Sequence, residues 1–550
     1  MRWQKYLLPS VIFLVLLVFV VYPTLSVLVK SLSVGERIGL DNYIDAFTKP
    51  QFASTIWGSL LVAAGAAVLS TVLGLIISLT VFKTTLPLRR FFSVAAVLPM
   101  IIPGFVSTLA YIFLFGRNGL ITYKLLGVTW DIYSWKSVLF IQTLDFTTIT
   151  FLIISAVMLG VDRQVEDAAR NLGASEWEVM KTVTLPLIRP GIIGALLLVF
   201  LRSMADFGTP LILGGRFDTL ASASYSQLIG TYNMGMASTL NAILLLICLV
   251  VFWFYSRVQA TGSRVRLQVE SGQPREIDLK RPLKATLWSV CLLFSSLVFM
   301  ILVSVFLASF TRHLGADFSF TLEHFRIVPQ RGWNSIMNTI VFASITSLVM
   351  SLVGLVIAYL VTRIQFKGRN LIDLLTTLPF ALPGTLMGVG YILAFNHAPF
   401  LLTGTWAIVI AVTVIRELPL GLRSGVSVLG QQDRSIEDAS ASLGASRLST
   451  FFRIVMPLSR PALVVSALYA FVATVQTVGA IIFVINPSNK VLSVDVFEAI
   501  YRGDVGDAAA LSMVMLLLAA LGVLAIFAIS QRGVAQTWVH RVLTHHASAQ

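Results

Sequence analysis

Charge is scarce in this 550-residue chain. Asp, Glu, Lys and Arg make up 12% of it, about half the share of an average soluble domain. With 57% hydrophobic residues, that scarcity excludes an ordinary soluble globular protein. Cysteine is almost missing. Cys248 and Cys291 both lie inside apolar runs, which excludes a disulfide framework and leaves two small core residues. The six histidines (313, 324, 397, 540, 545 and 546) have no metal-ligand spacing, so no resident metal is expected. No Gly-x4-Gly-Lys-[Ser/Thr] stretch occurs, which excludes a phosphate-cradling loop of that kind.

What the chain has instead is long apolar runs, among them Leu7 to Val29, Ser59 to Phe82, Ala285 to Phe310 and Ala509 to Ile529. Each is long enough to cross about 30 Å of hydrocarbon. The first run is longer than a signal peptide and no small-residue cleavage pattern follows it, so it is expected to stay as a span. The net charge of +14 reads as loop charge that orients the chain in lipid rather than as a nucleic-acid surface. Lys83, Arg89 and Arg90 share one short loop without an acid, and Arg363, Lys367 and Arg369 share another. These loops, the start of the chain (Arg2, Lys5) and the polar stretch 259–284 are expected on the cytoplasmic side, with both termini.

The chain repeats itself. "LPMIIPGFVSTLAYIFLF" (98–115) aligns with "LPFALPGTLMGVGYILAF" (378–395), pairing Pro99 with Pro379, Pro103 with Pro383, Gly104 with Gly384 and Tyr111 with Tyr391. Farther on, Trp135 matches Trp406 and Gly208 matches Gly479. Six spans are expected in each half, near 7–30, 56–82, 91–116, 136–161, 186–212 and 239–258, then near 285–310, 335–362, 370–396, 403–430, 458–485 and 507–530. An even number returns each half to its starting side, so the repeats run parallel, related by an axis along the membrane normal. The expectation is an all-α polytopic membrane protein of about twelve transmembrane helices in two parallel six-helix repeats: 1–258, a cytoplasmic linker 259–284, and 285–550.

The most polar repeated phrase lies between the fourth and fifth spans. "DRQVEDAARNLGASEWEVMKTVTLPLIRPG" aligns without a gap with "DRSIEDASASLGASRLSTFFRIVMPLSRPA". Each copy predicts a hairpin of two short helices, at 163–185 and 434–456. Val165, Ala168, Ala169 and Leu172 form an apolar stripe at helical spacing. Gly173 and Gly444 then stop the first helix, and Ser175 and Ser446 cap the second. Glu178 completes a capping box in the first copy, and Ser449 weakens it in the second. Pro190 and Pro461 are each expected to bend the span that follows. A loop that only solvates the surface need not keep such a phrase twice, whereas an element read by a partner must.

This phrase resembles the EAA motif, Glu-Ala-Ala-x3-Gly-x9-Ile-x-Leu-Pro, of the inner-membrane permease subunits of bacterial ABC importers. Asp167, Ala168, Ala169, Gly173, Val183, Leu185 and Pro186 carry it in the first half. Asp438, Ala439, Ser440, Gly444, Ile454, Met456 and Pro457 carry it in the second. Both copies have Asp where the family has Glu, with a Glu just before it (Glu166, Glu437). Fused permeases of the iron(III) uptake type are similar over both halves, "SMADFGTPLILGG" (203–215) included. The resemblance implies ATP-driven import of a small solute across the bacterial inner membrane, with ferric iron as the first choice and thiamine, phosphonate, polyamine or sulfate-type anions as alternatives. It implies two copies of a separate ATPase subunit gripping the hairpins, and a periplasmic substrate-binding protein. The chain itself would bind no cofactor and catalyse no covalent step, ATP being used by the partner. An ion-gradient-driven secondary transporter is the rival of another class, and it has no need of two matched hairpins.

Charges inside the spans are costly and mark candidate pathway residues: Asp145, Arg202, Asp206, Arg416 and Glu417. Arg202 and Asp206, four apart, are read as facing each other on one helix or as lining the route. The repeat aligns Asp145 with Arg416, Arg202 with Ala473 and Asp206 with Thr477, so the halves differ here. The Pro-Gly breaks at 99–104 and 379–384 are expected to bend the third span of each half.

Overall fold

The computed structural model describes residues 2–35, 37–262 and 281–530, so most of the linker expected at 259–284 lies outside the described residues. The first repeat gives α1 (Arg2–Leu16), α2 (Tyr22–Ser31), α3 (Pro50–Lys83), α4 (Arg89–Val97), α5 (Gly104–Phe115) and α6 (Trp135–Leu159). The polar phrase forms α7 (Arg163–Asn171) and α8 (Glu176–Val179), and α9 (Leu185–Ala205) and α10 (Met234–Gly262) follow. The second repeat gives α11 (Arg281–Phe310), α12 (Trp333–Arg363), α13 (Arg369–Thr377), α14 (Gly384–Phe395) and α15 (Trp406–Gln431). Its hairpin is α16 (Ser435–Ser442) and α17 (Arg447–Thr450), and α18 (Arg460–Gln476), α19 (Leu492–Arg502) and α20 (Val505–Ser530) complete it. Strands among the described residues are confined to two two-stranded ribbons. The protein is an all-α polytopic membrane protein.

Among the described residues nine helices are long and apolar enough to cross a membrane, and eleven if each of two bent pairs is one span. The remaining expected span, 403–430, is α15, which is long enough but carries Arg416, Glu417 and Arg423. The third span of each repeat is broken where the sequence places Pro and Gly. A 3-10 turn (Leu98–Met100, Leu378–Phe380) precedes Pro103 or Pro383, which caps the next helix. In the second repeat the two pieces meet at 112°. The bends expected at Pro190 and Pro461 are not equal. Residues Arg447–Leu458 and Arg460–Gln476 meet at 70°, whereas the helical run Glu176–Ala205 passes through Pro190 without such a break. The break in the second copy falls at Ser459, where the helix is interrupted before it restarts with Pro461 in its first turn.

The chain forms two compact units that do not follow the sequence halves. One comprises Ile38–Arg326 with Phe497–Met513, and the other Met1–Arg37, Ile327–Val496 and Val514–Gln550. In the first unit α3 crosses α6 at Gly74, where a Cβ would collide with Thr150 Oγ1. The Thr150 hydroxyl donates to the Ser70 carbonyl at 2.7 Å. In the second unit the matching crossing of α12 and α15 brings Gly354 against the Gly421 backbone. Small residues let these helices approach where apolar packing in lipid gives no hydrophobic drive.

The first span of each repeat is grouped with the other repeat's helices. Phe299 of α11 stacks on Phe91 of α4 at 5.1 Å. In the other unit α2 lies on α14, where a Cβ on Gly390 would come within 2.8 Å of the Pro23 carbonyl. Pro23 has no N–H to give the Phe19 carbonyl four residues earlier. A π turn (Leu17–Val21) precedes it, and the buried Tyr391 hydroxyl donates to the Phe19 carbonyl at 2.8 Å.

Candidate coupling hairpins and intramembrane charges

In each hairpin the two helices pack end to end around a left-handed glycine, Gly173 at φ +92° and Gly444 at φ +83°. After Gly173, the Ala174 N–H returns to the Ala169 carbonyl, and Ala445 does the same with Ser440. Ser175 caps α8 in a complete capping box with Glu178. Ser446 caps α17 through the Ser449 N–H. The Glu178 carboxylate accepts from the Ser175 N–H and hydroxyl, both at 2.7 Å. Those bonds hold it below the usual glutamate range.

The apolar stripe of α7, whose direction the helical spacing leaves open, faces outward. Leu172 and its repeat partner Leu443 are both 89% exposed, and Trp177 and Leu448 are 61% and 67% exposed. Ala168 and Ala439 are exposed as well. The buried residue of α7 is the acid, Glu166, at 1%. Its two oxygens take the Lys83 ammonium at 2.7 and 2.8 Å, and the Thr184 hydroxyl donates to it at 2.7 Å. The second repeat builds the same pair from Arg363 and Glu437, whose Nε and Oε1 lie 2.9 Å apart. These two atoms are off hydrogen-bond alignment, so the contact is an ion pair rather than a directed bond. Lys83 and Arg363, read from the sequence as orienting loop cations, are therefore 2% and 8% exposed partners of the hairpin acids. The pairing was hidden because it joins positions 83 apart in the first repeat and 74 apart (437 minus 363) in the second.

The neighbouring acids point the other way. Asp167 is 37% exposed and is bonded by Arg170 at 3.0 Å, and Asp438 is exposed. Arg170 also grips Glu176 across the turn at 2.8 and 3.0 Å. In the second copy Ala441 and Arg447 stand there, and Ser440 with Thr450 makes the tie at 2.9 Å. Ala169 is half-buried and Ser440 buried on the inner side.

The intramembrane charges are placed in two groups, one in each unit. Asp145 faces the N-terminus of α5 and accepts from the Ser107 hydroxyl at 2.8 Å. A Cβ on Gly104 would be 3.3 Å from its other oxygen. Asp206 is not on one helix with Arg202, because α9 ends at Ala205 and Asp206 is its extended C-cap. Its carboxylate accepts from Gln142 Nε2 at 2.9 Å and the Thr209 N–H at 3.2 Å. Arg202 is half-buried on the last turn of α9. In the second unit Arg416 occupies the place that the repeat gives to Asp145. Its guanidinium is 3.3 Å from where a Gly384 Cβ would sit, and Nε lies 3.6 Å from the buried Glu417. The Pro-Gly breaks thus do more than kink a span, since each glycine gives a fourth-span charge room beside a helix N-terminus. At Asp145 that end of the helix favours the charge, and at Arg416 it opposes it.

A duplicated helical membrane protein with two matched polar hairpins and charges inside its spans is a transport permease by class. Residues 70–261 and 350–538 each match the family described as binding-protein-dependent transport system inner membrane component, and the chain belongs to that family. It is 32% identical over 539 residues to the ferric transport system permease protein FbpB of Actinobacillus pleuropneumoniae, covering 94% of this chain and 77% of that protein. It is 33% identical over 514 residues to the putative ferric transport system permease protein FbpB 1 of Haemophilus influenzae, covering 89% and 80%. A solved bacterial alginate ABC transporter, in complex with an alginate pentasaccharide-bound periplasmic protein, matches 48% of this chain and 96% of its own at 18% identity and a TM-score of 0.41. The chain is a multi-pass inner-membrane transport permease.

Proposed function

We propose that this chain is the permease of an ABC importer for ferric iron, supplying both halves of the translocation route in one polypeptide. A separate ATPase, in two copies, docks on the hairpins 163–185 and 434–456, and a periplasmic binding protein delivers the solute from the opposite side. Both termini are cytoplasmic in this arrangement. The observation that carries the reading is the pair of hairpins. Each leaves a leucine 89% exposed beside an exposed acid and a left-handed glycine, and an exposed apolar knob on a polar hairpin is a surface made to be covered. Ferric iron is favoured by the relatives that align over most of the chain. Asp145, Arg202, Asp206, Arg416 and Glu417 are the proposed pathway residues, with acids in one unit suited to a cation.

Uptake of radiolabelled ferric iron by a deletion strain carrying the chain tests this reading. Uptake is expected with the parent chain and is expected to vanish with Leu172→Asp and Leu443→Asp, which should also release the ATPase while leaving the permease in the membrane. Transport of sulfate or thiamine in place of iron would overturn the substrate. Normal uptake by the double variant would overturn the docking.

A further inference from the structure

We propose that the ion pairs Lys83–Glu166 and Arg363–Glu437 are the links by which each hairpin moves the second span of its repeat, and that Glu166 and Glu437 are positioning residues that do not touch the ATPase. This rests on the reading of the hairpins as docking elements.

Each hairpin is joined covalently to two spans only, α6 before it and α9 after it in the first repeat, and α15 and α18 in the second. The end of α3 or α12 has no such connection. In the first repeat it is held to the hairpin by Lys83, the last residue of α3, buried with Glu166. Thr184, just before α9, closes the same carboxylate, so one acid ties three elements. In the second repeat Arg363, the last residue of α12, meets Glu437 and also donates to the Leu429 and Gln432 carbonyls at 2.8 Å, where α15 ends.

A buried ion pair is a poor source of net stability, because desolvation offsets its attraction. Stability alone does not explain why both repeats keep one at matched positions, with Lys in one and Arg in the other. The other side-chain ties of the hairpins differ: Arg170 with Glu176 in the first, Ser440 with Thr450 in the second. A charge pair does what an apolar contact does not, fixing one register between two elements. With it the hairpin and the second span move as one body, and a pull on the outward face reaches a third helix of the unit. Asp438, exposed on that face, and Asp167, part-exposed there and bonded by Arg170, are the acids that face the partner.

The test uses the assembled transporter with its ATPase, reading ATPase co-purification, ATP hydrolysis and iron imported per ATP. Glu166→Gln with Glu437→Gln should keep the ATPase bound and hydrolysing while import per ATP falls about tenfold, the scale of a coupling free energy of a kcal/mol or so. Reversing both pairs (Lys83→Glu with Glu166→Lys, Arg363→Glu with Glu437→Arg) should recover much of that loss. Asp167→Asn with Asp438→Asn should instead weaken ATPase retention. Unchanged import per ATP in the Gln variant overturns the proposal. So does loss of the ATPase from the Gln variant but not from the Asn variant, which would make Glu166 and Glu437 the direct contacts. If the Gln variant does not accumulate, the reversed pairs decide: parent-like import per ATP supports the link, and accumulation without coupling refutes it. Failure of the parent chain to retain any ATPase would count against the docking reading itself.

Discussion

Pro23 removes a backbone donor from the first span, and Tyr391 replaces it with a hydroxyl from another helix. The Tyr391 ring that carries this hydroxyl is itself fully buried. Tyr391→Phe keeps the ring and leaves the Phe19 carbonyl without that donor, at a cost of about 1–3 kcal/mol. Thermal unfolding of the purified protein should show it as a lowered midpoint. The repeat partner Tyr111 provides the control, because its half-buried hydroxyl meets the Ser137 hydroxyl at 3.2 Å rather than a backbone carbonyl that has lost its donor, so Tyr111→Phe should cost less. Equal shifts would mean that the Phe19 bond is not special. The sequence aligned Tyr111 with Tyr391 but gave no sign that their hydroxyls have different tasks, because each partner lies on another helix, 26 residues away for Tyr111 and 372 for Tyr391.

The hairpins divide what was legible from what was not. Their helices, caps and glycine stops were readable because those signals act within four residues: Ser175 with Glu178, Gly173 after Leu172. The direction of the apolar stripe was not readable. A 3.6-residue period shows that α7 has two faces, but a partner set by tertiary packing decides which one is buried, and here Lys83 buried the acid. The capping difference between the repeats makes a pH prediction. The Glu178 carboxylate is held below its ordinary range by Ser175, so its protonation in the folded state lags that in the unfolded chain. Its contribution is fully present above the ordinary glutamate value of about 4.3 and is lost as pH falls through the depressed one. Hydrogen exchange, corrected for intrinsic rates, should therefore show residues 173–182 losing protection on going from neutral pH to about pH 3. Residues 444–453, with Ser449 in that place, should change less. Equal behaviour of the two segments would refute the assignment.

At the scale of the molecule, the sequence repeat and the compact units are drawn along different lines. The repeat is a statement about descent of spans from spans, and it was legible because Pro, Gly and Tyr recur at fixed offsets. Which span packs where is decided by side chains that the alignment treats as equivalent. Span one, Leu7–Ser31, lies with Ile327–Val496, and span seven, α11, lies with Ile38–Arg326. A chain cut in the linker should therefore behave unlike two independent domains. Residues 285–550 expressed alone lack the helix that brings Phe19 and Tyr22 to within 5.5 and 6.0 Å of Phe395. They leave the faces of Tyr391 and Gly390 to lipid. Residues 1–258 alone lack the Phe299 ring that stacks on Phe91. Each fragment is expected to be degraded when expressed singly and to accumulate when both are co-expressed, with uptake restored. Pulse-chase of the fragments checks this directly. If residues 285–550 persist alone as long as the intact chain, the exchange of first spans contributes little to stability, and the halves are separable domains joined only by a tether.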